Sequence, residues 1–387
     1  MNTASQNLIS VVVPCYNSGP WLAELADQIH EVMTENSWDY ELPPQFIHHG
    51  KHTYSDRFTD QFAEHLGILP RQGSAPLEPI HEDLAFEAQR ILEQTVDRLV
   101  AHWQQETGLT NLCIAGGVGL NVKLNSKLHK SGLFDCVWPF PIPNDSGTSI
   151  GSAVGVHHRL TGKKPDRLQH VYLGPGYTDA QIETQIRGCG YAYRDCEDIA
   201  EEAAELLADG KVVGWLQGRL EGGPRALGGR SILADPRSVE ARDRVNSAIK
   251  FREYWRPFCP SMTAESAERF LQRAEEAPYM ILAFDATEEA QDLIPGVVHV
   301  DDTARVQTVT RETNPRYYDL LKAFERRTGV PVLLNTSFNI KGEAIVCSPR
   351  DAFRTFWSTG IDALAIGRFL IEKPKSPEAT APEDVIR

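Results

Sequence analysis

The sequence predicts an α/β protein in which strands alternate with helices. Three observations carry that prediction. Apolar runs of strand length stand at 8–13 (LISVVV), 111–115 (NLCIA) and 331–336 (PVLLNT). Such runs end in turns rich in glycine or asparagine, and apolar residues then recur at helical spacing. Alternation of this kind implies a sheet with parallel pairing and helices packed on it.

Taken in order, LISVVV reads as a buried parallel strand because it is apolar at every position but Ser10 and rich in β-branched residues. The turn PCYNSGPW follows it, and Leu22, Leu25, Ala26, Ile29 and Val32–Met33 mark a helix leading to a strand start at 38–42. The text PPQFIHHGKHTYSDRF then has paired prolines and no periodicity, which places a junction near 42–45. Leu84, Ala88, Ile91, Leu92, Val96 and Leu99–Val100 form an amphipathic helix over 84–105. Residues 111–128 and 136–155 each read as strand, turn and helix, and the polar stretch at 162–167 reads as a linker. Beyond it the pattern predicts helices at 198–209, 239–250 and 315–328, with strands at 211–217, 279–285, 297–300, 305–309 and 331–336. The last residues, 373–387, are proline-rich and charged, the composition of a disordered tail.

Bulk composition narrows the function. A chain of 387 residues accommodates two or three domains. It has no apolar run of membrane-spanning length and no cationic segment followed by an apolar stretch and a cleavage site, so a cytoplasmic location without membrane partners is expected. Its seven cysteines are odd in number and include no C-x-x-C pair, which favours reduced thiols. Net charge is −14, from 39 Lys+Arg against 53 Asp+Glu, yet Arg219, Arg225, Arg230, Arg237, Lys250, Arg252 and Arg256 crowd into 211–260. A local basic pocket on an acidic chain fits a small phosphorylated ligand, whereas nucleic acid would want a broad positive footprint.

Within that segment, LEGGPRALGGRS (220–231) sets paired glycines, which let backbone approach a ligand, beside Arg225 and Arg230, each able to present a planar fork to phosphate. KFREYWRPF (250–258) puts Lys250 and Arg252 two apart, so an extended segment would aim both at one face; Arg256 precedes a proline. LLNTSFNIKGE (333–343) is a strand running into a loop crowded with Asn335, Thr336, Ser337, Asn339 and Lys341, where an ordinary hairpin is an equal alternative. AGGVGLN (115–121) joins a strand to a helix through Gly116, Gly117 and Val118, whose amides suit a nucleotide at a helix N-terminus. In NDSGT (144–148), Asp145 is either a metal ligand or, more commonly for such a residue, a helix cap.

Together, and in this order, LCIAGGVGLNVKLNSKL, PNDSGTSIGSA, GWLQGRLEGGPRALGGRSILADPR, KFREYWRPFCPS and LLNTSFNIKGEAIVCSP resemble the O-carbamoyltransferases of the NodU type, enzymes of antibiotic and nodulation-factor biosynthesis. The resemblance covers roughly residues 56–372. It implies part of an actin/hexokinase-like (ASKHA) α/β subdomain over 43–167, followed by a YrdC-like α/β domain over 168–372. It also implies that carbamoyl phosphate and ATP, with Mg2+, give carbamoyl adenylate and that the carbamoyl group passes to a hydroxyl of a small-molecule or sugar acceptor. The K-x-R and S-x-N signatures of YrdC-like domains stand here as Lys250-Phe251-Arg252 and Ser337-Phe338-Asn339. By that resemblance Lys250, Arg252, Arg225 and Arg230 clamp carbamoyl phosphate and the triphosphate, and Ser337 and Asn339 hold nucleotide phosphates or ribose.

The family's transferase domain begins with a further half that carries a histidine pair; with the aspartate matching Asp145, that pair binds an iron-type ion. No match to that half stands in this chain, and His48-His49-x-x-His52 lacks its context, so an Fe2+ site here is expected to be incomplete. Residues 1–42 instead resemble, through ISVVVPCYNSG, the opening strand and helix of a family 2 glycosyltransferase, without that family's later aspartates. The alternative to an active transferase is a nucleotide-binding subunit that works with a separate chain supplying the other half, or as a homodimer; a glycosyltransferase ranks below both.

Overall fold

The apolar runs and helical periodicities do become strands and helices in the computed structural model, which describes residues 9–12, 67, 75–163, 166, 168–252 and 256–373. Two compact units divide between Asp145 and Ser146. The helix and strand expected at 22–42, the junction at 42–45, the three histidines at 48–52 and the tail from 374 lie outside the described residues.

In the first unit, β1 (Ile9–Val12) is followed by α1 (Pro79–Thr107), β2 (Asn111–Ala115), α2 (Val122–Lys130) and β3 (Cys136–Pro139). The strands form one all-parallel sheet in the order β1-β2-β3, with Ile9 opposite Leu112 and Asn111 opposite Cys136. The opening strand therefore belongs to this sheet. Helix α1 starts five residues before its first periodic apolar position because Pro79 fits a first helical turn, and it ends where Gly108 turns left-handed. Its buried Val96 and Val100 pack with Leu112, Ile114, Leu124, Leu128 and Val137 into one apolar core.

The second unit comprises α3 (Thr148–Thr161), α4 (Asp179–Cys189), β4 (Arg194–Asp195), α5 (Ile199–Ala208), β5 (Val213–Leu216), β6 (Arg230–Ala234) and α6 (Val239–Val245). A π-helical turn, Asn246–Lys250, extends α6. Then come β7 (Cys259–Thr263), α7 (Ala267–Phe270), β8 (Ala283–Asp285), α8 (Glu288–Leu293), β9 (Thr303–Arg305) and β10 (Gln307–Val309). The last elements are α9 (Pro315–Thr328), β11 (Val332–Ser337), α10 (Pro349–Trp357), β12 (Ala363–Ile366) and β13 (Phe369–Glu372).

Eight of these strands make a mixed sheet in the order β10-β7-β11-β6-β5-β12-β13-β4, and β8 pairs with β9 alone. Alternation along the strands sorts the core into two. Leu233, Leu333, Ala365 and Leu370 face α5 and α9, while their neighbours Ile232, Leu334, Leu364 and Ile371 face α4, α10 and the turn after α6. The sheet is thus covered on both faces, which explains why its central strands β5 (VGWL) and β12 (ALAI) carry no polar residue.

Two expectations fail here. No strand forms at 297–300; His299 N–H instead donates to Thr303 C=O across a tight turn with Val300 fully exposed and Asp302 at φ 56°. The expected strand at 305–309 divides at Val306, so that β9 and β10 serve different sheets.

Candidate functional site

Strand register gathers the basic segment at one end of the large sheet. Leu216 at the end of β5 lies opposite Arg230 at the start of β6, Ser337 at the end of β11 lies opposite Ser231, and Asn335 lies opposite Cys259 at the start of β7. Gln307, opening β10, pairs with Ser261 and brings Arg305 to the same end.

The glycine-rich loop 220–231 holds an anion, but its own. Glu221 is buried, and its Oε1 accepts the backbone N–H of Leu227 at 2.6 Å and of Gly229 and Arg230 at 3.1 Å each. The paired glycines serve this inward turn. Gly228 has φ 91°, and a Cβ there would lie 2.2 Å from the Tyr317 ring; at Gly229 a Cβ would lie 2.4 Å from Glu221 Oε2. Arg230 likewise turns inward, contrary to the sequence expectation. It is fully buried, and its guanidinium donates to the carbonyls of Gln217 (3.0 Å), Gly229 (2.9 Å), Pro175 (3.2 Å) and Cys347 (3.3 Å). Its fork fastens the loop to the sheet end and has no edge left for a ligand.

Arg225 differs. Its Nε is buried with no hydrogen-bond partner, and burial, then the neighbouring Arg305 guanidinium, pushes its pKa down to about 10. Arg305 donates from Nε to Cys259 Sγ at 2.8 Å. A half-buried guanidinium beside a second one, with no carboxylate partner among the described residues, is costly unless an anion joins them. Arg305 was not singled out from the sequence, where a lone arginine in TARVQTV carries no spacing signal.

The two signatures meet directly. Lys250 ends the π-helical turn and Phe251 follows at φ 47°, so Lys250 and Arg252 do not share an extended face as the two-residue spacing suggested. Lys250 is buried, and its ammonium donates to Asn339 Oδ1 (2.8 Å), Asn339 C=O (3.0 Å), Ser337 Oγ (3.2 Å) and Ser337 C=O. Ser337 Oγ donates to Asn339 Oδ1 at 2.7 Å, and Asn339 Nδ2 to Glu343 C=O at 2.6 Å. Burial, with Arg252 and Arg256 adding repulsion, brings the Lys250 pKa down to about 7. Arg252 turns away, donating to Asn246 Oδ1 at 2.8 Å with its guanidinium 4.3 Å over Phe258. Arg256 is exposed, and Thr336 is half-buried in β11.

Asn335 proves to be part of the frame. Fully buried, its Nδ2 donates to Ser261 Oγ (2.9 Å) and to the carbonyl of Ala226 (3.2 Å), which secures the arginine loop against β7.

In the first unit, Gly116 (φ 92°) donates its N–H to Pro143 C=O at 2.7 Å, and Val118 is core. The expected helix N-terminus lies four residues beyond Gly117, where Asn121 Oδ1 accepts from Leu124 N–H at 3.0 Å and caps α2. Gly116, Gly117 and Val118 therefore form a short turn rather than an open cradle at a helix start. Asp145 is exposed, and no group of three His, Cys, Asp or Glu among the described residues could hold a metal ion. The described residues alone therefore give Asp145 no set of companion ligands for an iron ion. Nor does any described helix have the length and apolarity to cross a membrane.

Comparison with known proteins bears on these motifs as a set. A family model described as carbamoyltransferase C-terminus matches residues 204–373, and one described as carbamoyltransferase N-terminus matches 24–154. The latter begins inside the 1–42 segment set apart above for its glycosyltransferase-like opening. An uncharacterized protein of Synechocystis sp. is 41% identical over 347 residues, covering 82% of this chain and 56% of that protein. Nodulation protein NolNO of Sinorhizobium fredii is 41% identical over 342 residues, covering 87% and 49%. Nodulation protein NolO of Bradyrhizobium diazoefficiens is 42% identical over 313 residues, covering 79% and 57%. The chain spans about half the length of these curated relatives. With both family models matched in order and the relatives aligned through both units, the chain belongs to the carbamoyltransferase family.

Proposed function

We propose that the second unit activates a carbamoyl group. Carbamoyl phosphate, water and ATP give carbamoyl adenylate, pyrophosphate and phosphate, and the adenylate then donates its carbamoyl group to a hydroxyl of a small-molecule or sugar acceptor. In this reading water first cleaves carbamoyl phosphate to carbamate and phosphate; a carbamate oxygen then attacks the α-phosphorus of ATP and pyrophosphate leaves. Both steps gather charge on phosphoryl oxygens, and fixed cations held away from water stabilise such charge.

The observation that carries the proposal is the half-buried Arg225, whose Nε is buried and unpartnered, beside Arg305. This pair finds no carboxylate among the described residues, and we assign to it the phosphate of carbamoyl phosphate. Lys250, Ser337 and Asn339 then face the triphosphate, and Arg252 and Arg256 line its approach. The residues assigned to the phosphates are cationic or neutral, so the Mg2+ accompanying ATP would be held by the phosphates themselves.

Labelled pyrophosphate should exchange into ATP when the protein is incubated with ATP and carbamoyl phosphate. Exchange should fall at least tenfold in Arg225→Ala and in Lys250→Ala. Exchange equal in wild type and both variants, or none in wild type, defeats the proposal.

A further inference from the structure

At the carboxyl ends of β5 and β12, which are parallel neighbours, the second unit contains a cavity of about 750 Å3. Lys250, Ser337, Asn339, Arg225 and Arg305 do not line it. Its size lies in the range of small-molecule sites, and the crevice beyond adjacent parallel strand ends is where open α/β sheets place ligands.

Two arginines line this cavity, and neither pairs with a carboxylate among the described residues. Arg219 is held by neutral oxygens, donating from Nε to Gly174 C=O at 2.8 Å and from Nη2 to Leu173 C=O. Arg316 donates from Nη1 to Gln217 Oε1 at 2.7 Å, and Gln217 is itself fixed by donating to Gly367 C=O at 2.8 Å. Elsewhere in this acidic chain arginines find acids readily, as Arg237, Arg244 and Arg311 do with Asp235, Asp362 and Asp319. Anchoring a guanidinium through neutral acceptors orients it without cancelling its charge. Asp179 is the one carboxylate in the lining, so the described walls are net cationic. His170 adds a buried Nδ1 without a partner, and Tyr172 and Tyr177 supply aromatic surface. Gly367 (φ 58°) keeps the floor clear, since a Cβ there would lie 2.6 Å from Asp179 Oδ1 and 2.8 Å from Ile182 Cδ1.

We propose that this cavity is a separate binding site for an organic phosphate monoester, its phosphate between Arg219 and Arg316 and its remainder against the two tyrosines. A sugar phosphate and a nucleoside monophosphate share that chemistry. The proposal is independent of carbamoyl activation and can be tested with that site disabled. In the full-length Lys250→Ala chain, calorimetric titration with ribose 5-phosphate and with AMP should show saturable binding of at least one. Binding of AMP alone identifies a nucleotide site, and binding of both a sugar-phosphate site. Adding Arg316→Ala should weaken that binding at least tenfold, and Arg316→Lys should restore part of it. Arg316 is exposed, so an unchanged thermal melt is expected for both variants. No saturable binding of either probe, or binding indifferent to Arg316, overturns the proposal; so does binding of inorganic phosphate as tight as that of both esters.

Discussion

Lys250 gives the sharpest test at the level of a single residue. With its pKa brought down to about 7 by burial and by Arg252 and Arg256, the amine is mostly neutral at pH 8 and mostly charged at pH 6. A bound triphosphate favours the ammonium and raises that pKa. ATP binding at pH 8 should therefore take up close to one proton, and at pH 6 close to none. Titration calorimetry in buffers of different ionisation enthalpy measures the uptake, and Lys250→Met should abolish its pH dependence. Equal uptake at both pH values would show that the lysine does not titrate with the ligand. Glu221 offers a second test. Glu221→Ala leaves three buried N–H groups without an acceptor and should cost about 3 kcal/mol or more in urea unfolding, with the arginine loop loosened. The sequence made Lys250, Ser337 and Asn339 legible because two short signatures specify them. Arg305 was illegible, since only the pairing of β10 with β7 brings it to the site. Arg230 was misread for a related reason: an arginine in a glycine loop looks the same whether its fork meets a ligand or five of its own carbonyls.

Among elements, the glycines separate structural demand from mere tolerance. Gly228→Ala meets both a left-handed backbone and the Tyr317 ring at 2.2 Å, so a loss of about 3 kcal/mol is expected. Gly188, inside α4, has nothing within 4 Å of its added Cβ, and Gly188→Ala should stabilise by about 0.5–1 kcal/mol through helix propensity. Thermal melts of the two variants should move in opposite directions; a shift of the same sign would mean that the loop is not held as described. Helices α5 and α9 were read from the sequence within one residue at most, because caps at Asp198 and Asn314 coincide with the start of apolar periodicity. The K-x-R segment was not. A spacing of two has the same appearance in a strand and at the end of a π-helical turn, and only Phe251 at φ 47° distinguishes them in the fold.

At the scale of the molecule, each unit has its own core, and the two differ greatly in extent. The first rests on one apolar cluster between a three-stranded sheet and α1 with α2. The second has two clusters, one on each face of an eight-stranded sheet, containing Trp215, Tyr317, Phe324, Phe356 and Phe369 at zero exposure. A sheet covered on both faces by residues of its own unit carries what cooperative folding requires. A fragment comprising 146–387 should therefore fold alone. Its far-ultraviolet circular dichroism should be lost in one transition in urea, and its near-ultraviolet spectrum should report Trp215 and Tyr317 in a fixed environment. Gradual loss of signal, or strong binding of a hydrophobic dye by the fragment without denaturant, would show that its core depends on residues before 146. Because Lys250, Ser337, Asn339, Arg225 and Arg305 all lie within this piece, ATP-dependent stabilisation of the fragment, absent in its Lys250→Ala form, would also place the nucleotide chemistry wholly in the second unit.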